Sequence, residues 1–507
     1  MRLLVAVLFL TQAAANSDDV TTCPKSVNPE TFMNVSQMIC YRMYPSEEYE
    51  ILTRDGYYVR LNRIPHGREY PRNTGPRPVM FLQHGVFGEG SNWVENLANN
   101  SLGFILADSG YDVWLGNSRG TLCSRRHQHL SPDQTEFWDF SFHEMAIYDL
   151  PAMINFVLQK TGQKQLYYVG YSQGATIAFI AFSSMPELAQ KIKTFFALAP
   201  IVTMKHVKSP VLKMLFLLNG KPDKLQILLG KTDASLRMRK LWRFLPNLCS
   251  HSLLHKPCAN LFFLLGGFNE KNLNMSRLDV YTAHYPDGTS VKNIIHWAQV
   301  KTSGEFKAFD YGSKNQAVYH QEKPPYYQLE KMPVPTAVWS GGKDWVADQR
   351  DVLLLLPRIS RLISYVHIID WNHWDFIWGL DGPGRLYSSI MAMVKSLRAG
   401  RAGRALDPRA LGREPRLPPG FQLRPAGPRR HRGGEPAGGG QGTPAAACRH
   451  LRQLREGAEP RAGERHAQPL QRAAGFGPGP RGCRGATRHQ RGAVHAGRDR
   501  PAGLRLG

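Results

Sequence analysis

The chain has 507 residues, of which 42% are hydrophobic, and a formal net charge of +24. That length can bury a sizeable core, and α/β enzymes of more than about 250 residues often fold as one unit. The charge would ordinarily indicate a nucleic-acid or acidic-membrane partner. However, residues 399–507 hold 22 Arg, no Lys and 7 acidic residues, and this +15 leaves only +9 for residues 1–398. The total therefore does not support nucleic-acid binding by the body of the protein.

The amino end has the pattern of a secretory signal peptide. A basic residue and a short apolar run, Met1–Leu10, precede Ala13–Ala15, which supplies an A-x-A cleavage site. The run is too short for a membrane anchor, and no later segment reaches the roughly 18 uninterrupted apolar residues of a spanning helix. We therefore expect a signal peptide over residues 1–15, no transmembrane segment, and a soluble mature protein in the secretory pathway.

Sequons and cysteines agree with that route. N-x-S sequons begin at Asn34, Asn99 and Asn274, so glycosylation is expected where these asparagines are exposed. Cys249 and Cys258 are close in sequence, and an oxidising compartment would allow them to close a small disulfide-bonded loop. The sequence assigns no partner to Cys23, Cys40 or Cys123.

The first elements after the cleavage site are an arm and a hairpin. Residues 16–45 are polar and mixed, and we expect them to form an extended arm. Tyr49–Thr53 and Tyr57–Leu61 are predicted to be strands, joined through Asp55-Gly56, a dipeptide typical of hairpin turns. Pro78–Gln83 is predicted to be a buried strand.

A His-Gly turn follows that buried strand. In hydrolases with a nucleophile on a strand-to-helix turn, this position supplies one backbone N–H to the oxyanion hole, and the residue after the nucleophile supplies the other. We therefore expect Val86 and Gln173 to be the two donors. His84 is expected to be structural, because the catalytic base should follow the serine in chain order.

The sequence Gly170–Gly174 is a G-x-S-x-G pattern in the context of a nucleophile elbow. It follows an apolar strand, Gln165–Val169, and precedes an apolar helix, Ala175–Phe182. A strand, this pattern and a helix together predict that Ser172 is a nucleophile held at the carboxyl edge of the sheet.

Strands and helices alternate on both sides of the elbow. Phe104–Asp108 and Phe142–Leu158 are predicted helices, whereas Tyr111–Leu115 and Phe195–Pro200 are predicted strands. This alternation predicts an α/β fold with a mostly parallel central sheet and helices on both faces. We place this core at residues 46–202 and 328–398.

The alternation stops from residue 203 to residue 327. Apolar clusters split by basic residues, at 211–218, 241–245 and 261–265, are predicted to be helices of a cap over the active site. A cap of this kind would desolvate the acyl chain of a water-insoluble ester beside the serine. The alternative is that these helices form only a small core of their own.

The remaining catalytic candidates follow the last two strands. Thr336–Ser340 leads to Asp344, and Ile363–Ile369 leads to His373, which gives the chain order Ser, Asp, His of α/β-hydrolases. His373 would take the proton of Ser172, and Asp344 would orient His373. Spacing alone leaves Asp348 and Asp375 as alternative acids.

These motifs resemble those of the acid lipase family over residues 30–397. The resemblance implies an α/β-hydrolase fold, a triad of Ser172, Asp344 and His373, an oxyanion hole at Val86 and Gln173, and a cap at 203–327. It also implies hydrolysis of triglycerides or cholesteryl esters, often in acidic settings, without a metal or organic cofactor. Cys249 and Cys258 stand where the family has a disulfide. The matching stretches are 82–85, 103–108, 111–120, 170–174, 274–281, 341–344 and 373–378.

Three positions depart from the family pattern. Tyr171 stands where many members carry His, Trp374 where a smaller residue is usual, and Leu122-Cys123 where Thr-Trp is more typical. Each lies near the expected rim of the active site, and none removes a reacting group.

The tail, residues 399–507, has no counterpart in the family, and its Arg, Gly, Pro and Ala bias cannot build a core. We interpret it as a disordered segment that results from a translated GC-rich non-native frame or a gene-model error; the alternative is a basic arm that binds anionic lipid or nucleic acid.

The function predicted from the sequence is hydrolysis of neutral lipid esters at a lipid–water interface, through an acyl-enzyme on Ser172, in a lysosomal or extracellular location. The expected partner is the lipid ester and not a nucleic acid. The alternative is a non-catalytic lipid-binding protein on the same fold, and a nucleic-acid-binding function would depend on the tail alone.

Overall fold

The computed structural model describes residues 27–69, 75–216, 230, 232–235 and 244–399. The predicted signal peptide and residues 400–507 of the predicted tail lie outside the described residues. In the part of the chain that the structure describes, no helix is long and apolar enough to cross a membrane.

One nine-stranded sheet organises the described residues. The strands are β1 (Glu47–Leu52), β2 (Tyr57–Ile64), β3 (Val79–Gln83), β4 (Asp112–Gly116), β5 (Arg126–His127), β6 (Leu166–Tyr171), β7 (Ile192–Leu198), β8 (Thr336–Gly341) and β9 (Leu362–Ile368). The order along the sheet is β1-β2-β4-β3-β6-β7-β8-β9, and β5 pairs with β2 off this path.

Most neighbouring strands run parallel. β1 and β5 pair with β2, and β2 pairs with β4, in antiparallel register, whereas β3, β4 and β6 to β9 are mutually parallel. Every residue of β3, β4, β6 and β8 is buried, so both faces of the central sheet are covered. The predicted α/β class with a mostly parallel sheet is confirmed, and the carboxyl ends of β3, β6 and β8 meet at one edge.

The helices are α1 (Val35–Tyr41), α2 (Leu102–Asp108), α3 (Phe142–Glu144), α4 (Leu150–Thr161), α5 (Gln173–Ser184), α6 (Pro186–Ala189), α7 (Pro210–Phe216), α8 (Leu245–Cys249), α9 (His255–Gly266), α10 (Leu278–His284), α11 (Val291–Ser303), α12 (Asn315–Tyr319), α13 (Gln349–Leu355), α14 (Asp375–Trp378) and α15 (Ser388–Arg398). A π-helical turn, Met145–Asp149, joins α3 to α4, where the sequence pattern predicts one uninterrupted helix.

Of the extended arm predicted over residues 16–45, the described part, residues 27–45, is not extended chain. It contains α1, whose first turn is closed by a capping box: Asn34 accepts from the Gln37 backbone, and the Gln37 side chain accepts from the Asn34 backbone. Met38 and Ile39 of this helix are buried in the main core. An apolar face that reaches the core, together with a satisfied first turn, stabilises helix over extended chain.

The described residues between β7 and β8 contain six helices, α7 to α12, and add no strand to the sheet. A disulfide joins Cys249 at the end of α8 to Cys258 in α9, with a Cα–Cα distance of 5.8 Å. These helices lie within the range predicted for the cap, residues 203–327.

Candidate active site

Ser172 lies in a sharp turn between β6 and α5. Its backbone has φ 54° and ψ −119°, a left-handed conformation that is uncommon for a residue with a side chain. The flanking glycines are required by close approach. A Cβ on Gly170 would lie 2.7 Å from the Gly174 carbonyl oxygen, and one on Gly174 would lie 2.4 Å from the carbonyl oxygen of Gln83. The turn is therefore packed too tightly for any larger residue at either flank.

His373 lies beside Ser172 in the structure, although 201 residues separate them in the chain. Its Nε2 atom is 3.0 Å from Ser172 Oγ, and its Nδ1 atom is 2.8 Å from Asp344 Oδ2. All three residues are buried. The sequence-predicted serine, histidine and acid are thus brought together as one chain of hydrogen bonds.

The Asp344 carboxylate is held by more than the imidazole. Its second oxygen, Oδ1, accepts from the backbone N–H groups of Val346 and Ala347, each at 2.8 Å. Both oxygens are therefore engaged, which fixes the carboxylate in the orientation that presents Oδ2 to His373.

The two alternative acids have other partners. Asp348 accepts from the backbone and side chain of Arg350 at the start of α13, and its carboxylate pairs with Lys208. Asp375 accepts from the Asn372 backbone N–H at 2.6 Å and from two asparagine side chains. Burial raises the pKa of Asp375 to about 7, although these donors act in the opposite direction. Among the described hydrogen bonds, the His373 ring is bonded to neither of these two carboxylates, so the structure favours Asp344.

The His-Gly turn packs directly against the elbow. A Cβ on Gly85 would lie 3.0 Å from Ser172 Cβ, and Val86 follows it. Within the described residues, the backbone N–H groups of Val86 and Gln173 donate no hydrogen bond; Gln173 is the first residue of α5, where an N–H has no acceptor inside the helix. Among the described residues, neither expected donor has an acceptor for its N–H group; one follows Ser172 in the chain and the other follows Gly85, which packs against Ser172.

His84 is turned away from Ser172. Its Nε2 atom accepts from the Ser118 backbone N–H at 3.1 Å, and its Nδ1 atom donates to the Gly85 carbonyl at 2.7 Å. Burial lowers its pKa to about 4, so it stays neutral and can hold both bonds. These contacts support the structural role expected for it.

Two residues of α11 that the sequence did not single out reach the elbow. The Gln173 side-chain oxygen accepts from Asn293 Nδ2 at 2.9 Å and from Trp297 Nε1 at 2.7 Å, and all three side chains are buried. The segment between β7 and β8 therefore contacts the nucleophile turn. No local signal in the sequence could have found this pair, because the contact spans more than a hundred residues.

Buried ionisable side chains follow the His-Gly turn in the chain and pair with the end of α10. Glu89, just past the turn, lies 3.3 Å from His284 Nδ1, at the end of α10. Burial alone would lower the pKa of His284, but the hydrogen bond to Glu89 and the charges of Glu89 and Glu95 raise it to about 9. The imidazole is therefore cationic below this pH and ties α10 to the segment that follows the turn.

Several predicted features are placed away from this centre. Asn34 and Asn99 are exposed, whereas Asn274 is half-buried and its amide nitrogen lies 3.4 Å from Asn96 Oδ1. Among the described residues there is no group of three or more His, Cys, Asp or Glu side chains that could hold a metal ion.

Comparison with known proteins shows the family to which the chain belongs. Residues 78–380 match the model described as "alpha/beta hydrolase fold", and residues 35–97 match the "Partial alpha/beta-hydrolase lipase region". The chain is 53% identical to mouse (Mus musculus) lipase member M over 78% of this chain and 92% of that protein. It is 53% identical to human (Homo sapiens) lysosomal acid lipase/cholesteryl ester hydrolase over 78% of this chain and 99% of that protein. It is 52% identical to human gastric triacylglycerol lipase over 72% of this chain and 92% of that protein.

These matches confirm the resemblance read from the motifs. They cover the hydrolase core and the segment between β7 and β8, and they extend to nearly the full length of the relatives. The chain belongs to the acid lipase family of α/β-hydrolases and is a serine ester hydrolase.

Proposed function

We propose that the protein hydrolyses neutral lipid esters, triacylglycerols or cholesteryl esters, through an acyl-enzyme on Ser172. The observation that carries this proposal is the hydrogen-bonded chain from Ser172 Oγ through the His373 ring to Asp344, at 3.0 Å and 2.8 Å. A base within hydrogen-bonding reach of a serine, and itself oriented by a carboxylate, is what activates a hydroxyl that is otherwise a weak nucleophile.

In the first half-reaction, Ser172 Oγ attacks the ester carbonyl carbon and His373 Nε2 takes the hydroxyl proton. The carbonyl electron pair moves onto oxygen, and the Val86 and Gln173 N–H groups stabilise the resulting oxyanion. One such donor contributes about 2.7–4 kcal/mol to lowering the barrier. The Asp344 carboxylate stabilises the imidazolium without taking its proton.

The tetrahedral intermediate then collapses and breaks the bond to the alcohol. His373 gives its proton to the leaving alkoxide oxygen, which releases the alcohol and leaves the acyl group on Ser172. Water enters, His373 takes one of its protons, and the hydroxide oxygen attacks the acyl carbon. The second collapse returns the proton to Ser172 Oγ and releases the fatty acid.

The substrate class is supported by the relatives and by the surface of the α7–α12 segment. Relatives with at least 50% identity are named a cholesteryl ester hydrolase and a triacylglycerol lipase. On the segment between β7 and β8, the side chains of Met214, Phe244, Leu253 and Phe268 are exposed, which is unfavourable in water and suits contact with a lipid surface.

We also propose a location on the secretory route, in the lysosome or outside the cell. The proposal is supported by the relatives' names and by the amino-terminal pattern of residues 1–15. The disulfide of Cys249 and Cys258 fits an oxidising compartment. Glycosylation is proposed at Asn34 and Asn99, which are exposed, and at Asn274.

A fluorophosphonate probe that labels activated serines tests the nucleophile directly. We expect one label per folded molecule, located at Ser172 by mass spectrometry, and no label in Ser172→Ala. Ser340→Ala is the matched control, because Ser340 Oγ also lies 2.8 Å from a histidine, His367, without a carboxylate on that ring among its described partners. Labelling lost in Ser340→Ala, or labelling retained in Ser172→Ala, would overturn the proposal.

A further inference from the structure

Tyr171 is the residue immediately before Ser172 and the last residue of β6. It is buried, and its hydroxyl donates a hydrogen bond to the backbone carbonyl oxygen of His373 at 2.9 Å. The centroid of its ring lies 5.0 Å from that of the imidazole. One side chain therefore joins the nucleophile turn to the loop between β9 and α14, which carries His373.

The main chain of His373 is held on both sides. Its N–H donates to the Gly266 carbonyl at the end of α9, at 3.0 Å, and its carbonyl accepts from Tyr171. Asp344 holds only the ring, through Nδ1. If the peptide were free to tilt, the Nε2 atom would swing relative to Ser172 even with the Asp344 bond intact. Fixing the peptide thus sets the distance that proton transfer depends on.

The Tyr171 ring also borders the turn that carries Val86. A Cβ on Gly85 would lie 3.3 Å from both Cδ1 and Cε1 of the ring, so the ring fills the space beside the glycine. Burial raises the pKa of the Tyr171 hydroxyl well above its ordinary value of 10.0. The hydroxyl therefore keeps its proton, and its ability to donate, across the whole range in which an ester hydrolase works.

We propose that Tyr171 is a positioning residue for His373: through its hydrogen bond to the His373 carbonyl, it holds the imidazole at the distance from Ser172 that proton transfer requires. This inference rests on the proposed acyl-enzyme function, and Tyr171 acts through His373 without touching the ester. Its contribution is to the rate of the chemical steps and not to substrate binding.

Tyr171→Phe removes the hydroxyl and keeps the buried ring. Tyr57→Phe is the matched control, because Tyr57 is also buried and also donates to a backbone carbonyl, that of Phe137, away from the site. Initial rates on a soluble short-chain ester are divided by the number of active sites, titrated with the fluorophosphonate, so that a partly folded preparation does not distort kcat.

For Tyr171→Phe we expect kcat per titrated site to fall about three- to tenfold, the effect of one lost hydrogen bond, with KM within about twofold of wild type. The rate of fluorophosphonate labelling should fall by a similar factor. Tyr57→Phe should keep the wild-type kcat per site. A Tyr171→Phe enzyme whose kcat matches that of Tyr57→Phe, or whose loss lies in KM, would overturn the inference.

The two proposals fail in different ways. Wild-type protein that is folded but neither labelled at Ser172 nor active would overturn the proposed function and this inference together. An active, Ser172-labelled wild type with an unaffected Tyr171→Phe variant would overturn the positioning role alone.

Discussion

Ser172 has a backbone conformation that is unfavourable for a residue with a side chain. A left-handed φ of 54° on a residue with a Cβ costs on the order of 1–3 kcal/mol, and the surrounding packing must supply that energy. In return, the side chain projects from the turn toward His373 and away from the helix that follows. The strained residue is thus the one whose hydroxyl the chemistry needs.

Asp344→Asn tests the choice among the three candidate acids. The amide cannot stabilise an imidazolium and favours the wrong imidazole tautomer, so we expect kcat to fall by about 10³–10⁴-fold with the fold intact. Asp348→Asn is the control, because Asp348 pairs with Arg350 and Lys208, and it should change kcat by less than about threefold. Steady-state kinetics on a soluble ester give both values; the reverse ranking would contradict the assignment.

The sequence predicts the nucleophile and the base of the triad but does not identify its acid. Ser172 and His373 are predicted because each follows a strand in a recognisable pattern. Asp344, Asp348 and Asp375 all lie near a strand end, and spacing does not distinguish them. The direction of each carboxylate depends on the turns at 341–347 and 369–375, where a backbone N–H captures one oxygen; that information is three-dimensional.

His284→Gln tests the buried ion pair between His284 and Glu89. Its folded pKa of about 9 exceeds the unfolded value of about 6.5, so the ion pair stabilises the fold fully below pH 6.5 and is lost as pH rises through 9. We expect the loss of unfolding free energy in His284→Gln to be largest at pH 5–6 and to shrink toward pH 9.5. Urea unfolding measures this loss, and His129→Gln, at an exposed histidine, is the control. A loss that grows with pH would contradict an ion pair between His284 and Glu89.

Among the elements, the end of α9 connects the loop after β8, which carries Asp344, to the loop after β9, which carries His373. The Gly266 carbonyl accepts from the backbone N–H groups of both Trp345 and His373. A Cβ on Gly266 would lie 2.3 Å from Trp374 Nε1, which itself donates to the Phe262 carbonyl. A helix outside the sheet thus sets the relative position of two loops that follow different strands.

Gly174→Ala tests the packing of the elbow. The new methyl group would lie 2.4 Å from the Gln83 carbonyl oxygen, so β3 and α5 must separate. We expect the unfolding free energy to fall by about 1–3 kcal/mol and labelling of Ser172 to slow. Gly384→Ala, where a Cβ meets nothing within 4 Å, should be within about 0.5 kcal/mol of wild type. Equal stabilities of the two variants, measured by urea unfolding, would contradict the packing argument.

Elements with strong periodicity are predicted well, and those that depend on distant contacts are not. The strands at 79–83, 166–171 and 336–341 follow from apolar runs. Helix α1 was missed although its signal, Asn34 followed three residues later by Gln37, is visible in the sequence. The π-helical turn at 145–149 has no such signal in the sequence; it ends at Asp149, whose carboxylate accepts from the distant, buried Arg119.

At the scale of the whole molecule, the described residues form the unit that the family shares. The last described helix, α15, ends at Arg398, and its residues Ile390, Met393 and Val394 are buried in the main core. Two of the relatives align with 78% of this chain and with 92–99% of their own length. The tail is therefore an addition to the part of the chain that these relatives share.

Removal of residues 400–507 tests whether the tail contributes to activity. The tail lacks Lys, Ile, Tyr, Trp and Met, so it offers little apolar surface to bury. We expect the shortened chain to keep the wild-type kcat on a soluble ester and the wild-type Tm. Salt-dependent retention on immobilised DNA should disappear with the tail. If the shortened chain were still retained on DNA, the expectation that residues 1–399 do not bind nucleic acid would be wrong.

Ester hydrolysis through Ser172 is tested by comparing wild-type protein with Ser172→Ala on emulsified triolein, emulsified cholesteryl oleate and a soluble short-chain ester, from pH 4 to 8. We predict release of fatty acid from at least one of the emulsified lipids by wild type, and loss of all three activities in Ser172→Ala, with both proteins folded by circular dichroism. Equal fatty-acid release by the two proteins, or none by a folded wild type, would contradict ester hydrolysis through Ser172.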